Sequence, residues 1–374
     1  MIVRVTRGAI EVRPISSKCC AIIENRKAIR MQITGAIAAG FAALCLVFSS
    51  PALAQSGWHV TKTFKIGGEG RWDYLTVDQQ THRLYVTRSS HTMVIDSESG
   101  KTIADIPGQK SAHGVALDPE AGRGFISDGG GSGAVVIFDL KTNAILGKIA
   151  AQPDADGIIY DKASDRVLVV SGDGGVLMSL KPDNDPKNGK MDEPIELGGK
   201  PEFLASDGAG KVYVNLEDKD KVAVVDMRTR KVIADWPVAP GGEPVGMAIN
   251  RQEGYLFIGC RKPQKLIVMS THGGKIVANL PIGAGVDATR TYEHWAFASC
   301  GDGTLAVAKE QSPGKFQIVQ DVKTPRGART MEMDYGTRDI YLPTAEFETP
   351  KPGAKGRPAM RPGTFMIVVA QPYQ

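Results

Sequence analysis

The sequence predicts an all-β fold, a seven-bladed β-propeller with four antiparallel strands in each blade. Three observations predict it. A segment of 40 to 46 residues recurs seven times, each copy holds four short β-rich runs separated by turn residues, and the chain has 43 glycines but only 6% aromatic residues. Repeats of this length with four strands per copy are typical of propellers, whose blades stack around a central channel.

The copies can be aligned on the residue that precedes the first β-rich run, here called the anchor. Clear copies begin at Trp72, Ala112, Pro201 and Pro244, and weaker copies begin at Ala155, Val286 and Ala328. The seven anchors are Asp73, His113, Asp156, Glu202, Val245, Asp287 and Arg329. Seven anchors predict seven blades in one domain, residues 55–374, rather than two or three separate domains.

The two ends of the repeat region predict how the ring closes. The last copy ends after its third run, TFMIVVA at 364–370, and the segment WHVTKTFKIGG at 58–68 is similar to a fourth run such as GKTIADIPG at 100–108. We therefore expect the N-terminal strand to complete the last blade, which would leave no open sheet edge.

Two recurring motifs carry a resemblance to a known family. RLYVT (83–87) and KVYVN (211–215) are followed by VIDSESGKTIADI and VVDMRTRKVIADW. These motifs resemble the YVTN β-propeller repeat family, of the YncE-like kind, over residues 58–370. The third and sixth copies depart from the pattern, with RVLVV and HWAFA. The resemblance implies the fold and an exported protein, but no particular activity, because propellers carry many functions.

Residues 1–54 are expected to be an N-terminal extension with a cleaved secretory signal. Lys27 and Arg30 precede an apolar stretch over 33–48, and Ala52-Leu53-Ala54 has the small-x-small cleavage pattern. We expect the mature chain to begin at Gln55 in the periplasm, and translation to start at Met31 rather than Met1. The apolar stretch is shorter than the roughly 20 residues of a spanning helix, so no transmembrane segment is expected in the mature chain.

Charge and composition bear on the partners. Without residues 1–54 the chain has 38 basic and 39 acidic side chains. A nearly neutral body lacks the basic surface that phosphate backbones require, so nucleic acid is not an expected partner. We expect a monomer that presents its channel mouth and loops to a small polar ligand or a protein partner.

Two cysteines, Cys260 and Cys300, remain in the body of the chain. They occupy equivalent positions in neighbouring copies, YLFIGC and WAFASC. Equivalent positions on neighbouring blades diverge away from the axis, whereas a disulfide needs Cα atoms within about 7 Å. We therefore expect two unpaired, partly buried thiols.

The anchors are the candidate functional residues, because each enters the innermost strand at one mouth of the channel. Six of the seven are ionisable: Asp73, His113, Asp156, Glu202, Asp287 and Arg329. Two interpretations stay open. The residues form a hydrated pore mouth that needs no ligand, or they bind a small polar molecule or a divalent cation. We also expect Trp72 and Tyr74, which flank Asp73, to add an aromatic wall to this mouth.

Binding is the favoured function, with enzymatic activity left open. The alternative is a metal-dependent, lactonase-like hydrolase, in which carboxylates from Asp73, Asp156, Glu202 and Asp287 hold a divalent cation that activates a carbonyl or water. No catalytic motif supports it, since HExxH, CxxC and GxSxG are all absent from the sequence. No cofactor is required by the binding hypothesis, although a divalent cation is compatible with it.

Overall fold

The computed structural model describes residues 57–349 and 358–373. Within these ranges the regular structure is β-strand apart from one 3₁₀ turn, Glu217–Lys219. The strands form five four-stranded sheets and one seven-stranded sheet, all with antiparallel pairing. The all-β class is confirmed, and the architecture is propeller-like. The proposed signal segment and the cleavage position before Gln55 lie outside the described residues.

The seven-stranded sheet contains the first two copies of the repeat. Its strands are β2 (Leu75–Asp78), β3 (Arg83–Thr87), β4 (Ser89–Asp96), β5 (Thr102–Asp118), β6 (Arg123–Asp128), β7 (Ala134–Asp139) and β8 (Ile145–Ala150). The long strand β5 belongs to both copies, because Ile106 pairs with Thr92 of β4 while Val115 pairs with Ile126 of β6.

Each of the next four copies forms its own sheet. The third consists of β9 (Ala155–Asp161), β10 (Arg166–Ser171), β11 (Val176–Leu180) and β12 (Ile195–Glu196). The fourth consists of β13 (Pro201–Ser206), β14 (Lys211–Leu216), β15 (Lys221–Asp226) and β16 (Lys231–Pro237). The fifth consists of β17 (Pro244–Asn250), β18 (Tyr255–Arg261), β19 (Gln264–Ser270) and β20 (Ile276–Pro281). The sixth consists of β21 (Val286–Tyr292), β22 (Trp295–Cys300), β23 (Thr304–Ser312) and β24 (Lys315–Lys323).

The last sheet joins the two ends of the described chain. It consists of β25 (Glu332–Met333), β26 (Ile340–Thr344), β27 (Met366–Pro372) and β1 (Trp58–Lys65). Strand β1 pairs with β27 from Trp58 opposite Pro372 to Lys65 opposite Met366. This is the pairing that the sequence predicted for the N-terminal strand.

Burial explains the hydrophobic pattern within a copy. The two middle strands of the fourth sheet, β14 and β15, are almost continuously buried, whereas the outer strand β16 is exposed at alternate residues. A strand covered on both faces by neighbouring sheets reads as an apolar run, while an outer strand alternates. This is why KVYVNL and KVAVVD look like core segments and KVIADWP does not.

The hydrophobic core consists of layers between consecutive sheets. Leu168 and Leu177 of the third sheet, for example, pack with Val212 and Val214 of the fourth. One layer lies between the first and last copies, where Leu84 of β3 and Ile367 of β27 belong to the same cluster. No helix among the described residues has the length and apolarity to cross a membrane.

Both cysteines of the described chain are free thiols. Cys260 ends the paired region of β18 opposite Pro244, and Cys300 ends β22 opposite Val286. Each is 0% exposed, so the expectation that they are unpaired agrees with the structure, but the expectation of partial burial is wrong. Burial raises the pKa of each thiol to about 12.

These thiols should be unreactive towards thiol reagents in the folded protein. In a chain without residues 1–54, we expect a disulfide-exchange reagent at pH 8 to label neither Cys260 nor Cys300, because both are inaccessible and protonated. In denaturant without reductant we expect two thiols per chain. A count of zero after unfolding would contradict the free thiols and indicate a disulfide.

Candidate functional site

The anchors lie at β-bulges near the start of the inner strands. In five inner strands the pairing register shifts at the anchor, which is His113, Asp156, Glu202, Val245 or Asp287. A bulge adds a residue to one strand, bends it and redirects the local side chains, and bulges are frequent next to functional sites. The repeated bulge therefore explains how equivalent residues from separate sheets are aimed at the same region.

A buried polar side chain near the end of the second strand holds the next anchor in place. Thr87 Oγ1 donates to the carbonyls of Tyr74 (2.9 Å) and His113 (3.0 Å). Asn215 Nδ2 donates to the carbonyl of Val245 (2.8 Å), and the Ser299 hydroxyl donates to that of Arg329. The polar last residue of the YVT and YVN motifs thus gives a carbonyl at the bulge a buried side-chain donor. In the first copy this donor adds to the backbone N–H of Tyr74, which reaches the His113 carbonyl at 3.0 Å.

The structure brings all six ionisable anchors into one group and adds two further residues. We call this group the charged cup. It comprises Asp73, His113, Asp156, Glu202, Glu217, Arg261, Asp287 and Arg329.

His113 bridges two of the carboxylates. Its Nδ1 lies 2.8 Å from Asp73 Oδ2 and 3.5 Å from Asp156 Oδ1, and its Nε2 lies 3.1 Å from Ser111 Oγ. Burial disfavours the imidazolium, but the hydrogen bond to Asp73 and the charge of Asp156 outweigh it and raise the pKa of His113 to about 9. The ring is therefore protonated at neutral pH.

Two guanidinium groups pair with Asp287 and with neighbouring carboxylates of the cup. Arg329 Nε and Arg261 Nη2 each contact one oxygen of Asp287, so both oxygens of that carboxylate are occupied. Arg329 Nη2 also lies 3.6 Å from Asp73 Oδ1, and Arg261 Nη1 lies 3.1 Å from Glu217 Oε1. The pKa of both arginines is raised, because these carboxylates outweigh the effect of burial.

Asp156 and Glu202, the anchors of consecutive sheets, are the least satisfied members of the cup. Asp156 Oδ1 is buried without a hydrogen-bond partner. Within the described ranges no hydrogen bond reaches the Glu202 carboxylate, and its nearest cation is Arg261 Nη1 at 3.7 Å. Burial, and then neighbouring carboxylates, raise the pKa of Asp156 well above its usual range and that of Glu202 to about 7.

The anchor pattern did not reveal Arg261 and Glu217. Each directly follows the last residue of a second strand that pairs with the inner strand: Glu217 comes after Leu216, and Arg261 comes after Cys260. Arg261 belongs to the copy whose anchor is the uncharged Val245, so the charge missing from the anchor is supplied by the neighbouring strand. An alignment of this position of the second strand across the copies would have shown the two charged residues, although not where their side chains point.

In the second copy, the position equivalent to Glu217 and Arg261 is a glycine, and this glycine leaves room for the His113 ring. A Cβ on Gly129, which follows β6, would lie 3.1 Å from His113 Nε2 and 3.2 Å from the backbone of Ala155. A side chain there would crowd the imidazole, because real Cβ contacts this short are uncommon. Glycine thus permits the histidine to sit between its carboxylate neighbours.

Two aromatic rings form the floor of the cup. Tyr74 and Phe203 directly follow the anchors Asp73 and Glu202, and their ring centroids are 4.6 Å apart. The Tyr74 hydroxyl donates to the Asp287 carbonyl at 2.9 Å. The expected aromatic wall is therefore partly wrong: Tyr74 faces the channel as a floor, whereas Trp72 is 5% exposed and packs against Phe365 with centroids 5.6 Å apart.

Of the four proposed metal-binding carboxylates, the structure groups only two. Asp73 and Asp156 offer ligand atoms that lie, together with one from His113, within 4.8 Å of one another. Asp287 is occupied by two guanidinium groups, and Glu202 lies beside Arg261. Any metal set in the cup is therefore Asp73, His113 and Asp156.

The hydroxyl of Thr87 should contribute to stability through the bulge. Thr87→Val removes the hydroxyl with little change of shape at a fully buried position and leaves two carbonyls without this partner. We expect a loss of about 1–2 kcal/mol in the free energy of unfolding, measured with urea. Thr102→Val on the exposed outer strand is the matched control and should stay within about 0.5 kcal/mol. Equal effects of the two changes would contradict the role of Thr87.

Glu202 should make stability depend on pH. Its folded pKa of about 7 exceeds that of an unfolded glutamate, so ionisation above that range destabilises the fold. We expect Glu202→Gln to raise the melting temperature by about 2–5 °C at pH 8.5 and to have little effect at pH 4.5. Glu243→Gln, which changes a surface glutamate paired with Lys262, should give no such gain. A gain independent of pH would contradict the assignment.

Comparison with known proteins supports the fold and identifies no family. No family model matches the sequence, and no curated protein sequence matches it. Among solved structures, the chain is similar to a Kuenenia stuttgartiensis hydrazine synthase chain, with a TM-score of 0.62 and 11% sequence identity over 72% of this chain and 91% of that one. At this identity the similarity concerns the fold alone, and it is the propeller-like architecture that the two chains share.

Proposed function

We propose that the chain is a closed seven-bladed propeller of the YVTN type. The seven-stranded sheet is divided at β5 into two blades, and β1 completes the last one. Seven apolar clusters support the proposal, each drawing chiefly on two consecutive copies and one joining the last copy to the first. A hydrogen bond of 2.9 Å from Thr330 Oγ1 to the Asp73 carbonyl supports the same closure.

We further propose that the protein is exported to the periplasm and acts there as a monomer. The export proposal rests on residues 31–54 of the sequence. The monomer proposal is supported by the exposed large aliphatic side chains, which stand singly on outer strands of different sheets, such as Ile103 on β5, Ile233 on β16 and Val319 on β24. Single exposed apolar residues do not form the continuous patch that an obligate interface needs.

The function that we propose is the binding of a small polar ligand in the charged cup. The observation that carries it is the contrast within the cup: Asp73, His113, Asp287 and both arginines are closely paired. Among the described residues, by contrast, no hydrogen bond reaches Asp156 Oδ1 or the Glu202 carboxylate, which lie 3.5 Å from His113 Nδ1 and 3.7 Å from Arg261 Nη1. A buried carboxyl without a donor lowers stability. A ligand that presents N–H or O–H groups to these two side chains would supply the missing partners.

A metal-dependent hydrolase is the second candidate, favoured by the convergence of Asp73, His113 and Asp156. Carboxylate oxygens and an imidazole nitrogen are donors that suit Zn²⁺ and Mn²⁺. A cation there would polarise a substrate carbonyl or lower the pKa of water. In this function, as in the first, the Tyr74–Phe203 floor would keep the reacting group at the mouth of the channel.

A ligand screen on matched variants tests both functions. We expect an amine or polyol in a panel of small amines, carboxylates, sugars and lactones to raise the melting temperature of the intact chain. Asp156→Asn should weaken that binding at least tenfold by calorimetry, because it replaces one carboxyl oxygen by an amide nitrogen that can only donate. Asp235→Asn, on the outer strand β16, should leave it unchanged.

The same material distinguishes the outcomes. Stabilisation by Zn²⁺ or Mn²⁺ after chelator treatment, together with metal-dependent lactone hydrolysis, would replace binding by the hydrolase. If no compound and no metal shifts the melting temperature, the proposed function is wrong and the cup is a hydrated pore mouth.

A further inference from the structure

A second cavity lies on the other side of the Tyr74–Phe203 floor. It has a volume of about 840 Å³, within the range of about 300–1,000 Å³ that small-molecule sites occupy. Its lining comes from inner-strand residues that follow the anchors and from the turns after those strands, and no anchor lines it. Tyr74 and Phe203 line this lower cavity, whereas the charged side chains of the cup do not.

The walls of the lower cavity are largely apolar and aromatic. Aliphatic lining comes from several inner strands, including Leu117 of β5 and Ile249 of β17. Phe203 contributes to the roof, and Tyr160 and Tyr292 lie farther along their strands. An apolar body of small-molecule size would bury its surface here, and flat aromatic side chains favour a flat occupant.

Polar side chains also line the cavity, among them Asp78, Asn250 and Arg251 at or just beyond the ends of inner strands, and one ion pair lies among the apolar residues. Arg290 Nε and Nη2 donate to Glu332 Oε1 and Oε2 at 2.7 and 2.9 Å, and Arg290 Nη1 donates to the Thr289 carbonyl at 2.7 Å. Arg290 is 9% exposed, and its guanidinium carbon lies 5.8 Å from the centre of the Phe203 ring. The pair thus sits under the roof of the cavity, where the cost of removing two charges from water is high.

The guanidinium group retains binding capacity in this position. It has five N–H donors, and the three contacts above use one on each nitrogen. One N–H on each terminal nitrogen has no partner among the described residues, and we call these two donors the fork. A carboxylate or carbonyl oxygen of a ligand can accept hydrogen bonds from such donors. Glu332 occupies the edge formed by Nε and Nη2, so it does not use the fork.

We propose that the lower cavity is a second binding site, for a small molecule with a flat apolar body and a carboxylate or carbonyl group that Arg290 receives. The apolar walls hold the body, and the two remaining N–H donors orient the acceptor group beneath Phe203. This site does not depend on the proposed function of the cup, because no anchor contributes to it.

The probe for this site is 2-naphthoate, followed by calorimetry on the intact chain. We expect one molecule to bind per chain. 2-Methylnaphthalene, which lacks the acceptor, should bind at least tenfold more weakly, and acetate, which lacks the apolar body, should not bind measurably. Absence of 2-naphthoate binding, or equal binding of 2-naphthoate and 2-methylnaphthalene, would overturn the proposal.

Three variants locate the binding. Ile249→Trp places an indole in the cavity and should weaken 2-naphthoate at least tenfold. Arg290→Lys keeps a cation beside Glu332 but removes the fork, so 2-naphthoate should weaken while 2-methylnaphthalene does not change. Asp235→Asn is the control and should bind both probes as the unaltered chain does.

Two further variants keep the test possible if Arg290→Lys or Ile249→Trp does not fold. The double change Arg290→Met with Glu332→Met removes both buried charges together, which such sites commonly tolerate, and should abolish the preference for 2-naphthoate over 2-methylnaphthalene. If Ile249→Trp does not fold, Ala205→Leu on the same wall takes its place. Unchanged affinity in a folded cavity variant, or an unchanged preference in both Arg290 variants, would place the binding elsewhere and refute the site.

Discussion

The close approach of the inner strands of successive sheets is the constraint on which the rest of the structure depends. Where strands from successive sheets approach one another, even a single Cβ has no space: one on Gly246 would lie 2.8 Å from the Ala288 Cα, and one on Gly157 would lie 2.7 Å from the Glu202 carbonyl. Glycine and β-bulges accommodate this approach, at the cost of backbone carbonyls that leave the sheet ladder. Buried hydroxyl and amide groups such as those of Thr87 and Asn215 then pair with those carbonyls.

The same constraint brings the ionisable anchors together in the charged cup. Because the bulge recurs at equivalent positions, it places an ionisable side chain from almost every copy at one mouth. Arg261 and Arg329 balance Asp287, and His113 balances Asp73. In the part of the chain that the structure describes, no hydrogen bond reaches Asp156 Oδ1 or the Glu202 carboxylate, and burial and neighbouring carboxylates raise the pKa of both groups. Unfavourable local electrostatics that the fold tolerates are typical of sites retained for function rather than for stability.

The cup and the lower cavity differ in chemistry. The cup is charged and hydrogen-bonded, whereas the lower cavity is lined by apolar and aromatic side chains together with polar ones and the Arg290–Glu332 ion pair. Among the positions that follow the anchors, only Tyr74 and Phe203 carry aromatic rings, and glycine stands at three of the others. The two sites that we propose would select ligands of different polarity.

The sequence by itself determined the all-β class, the four-stranded copies, the pairing of β1 with β27 and the convergence of the charged anchors. All of these follow from periodicity, since residues at equivalent repeat positions occupy equivalent places. Only the tertiary structure decided which charges pair and that Arg261 replaces the charge absent at Val245. It also decided that Trp72 packs against Phe365, whereas Tyr74 packs against Phe203 and lines the lower cavity. The physical reason is that pairing and side-chain direction depend on distances of a few ångströms between different sheets, which no repeat period encodes.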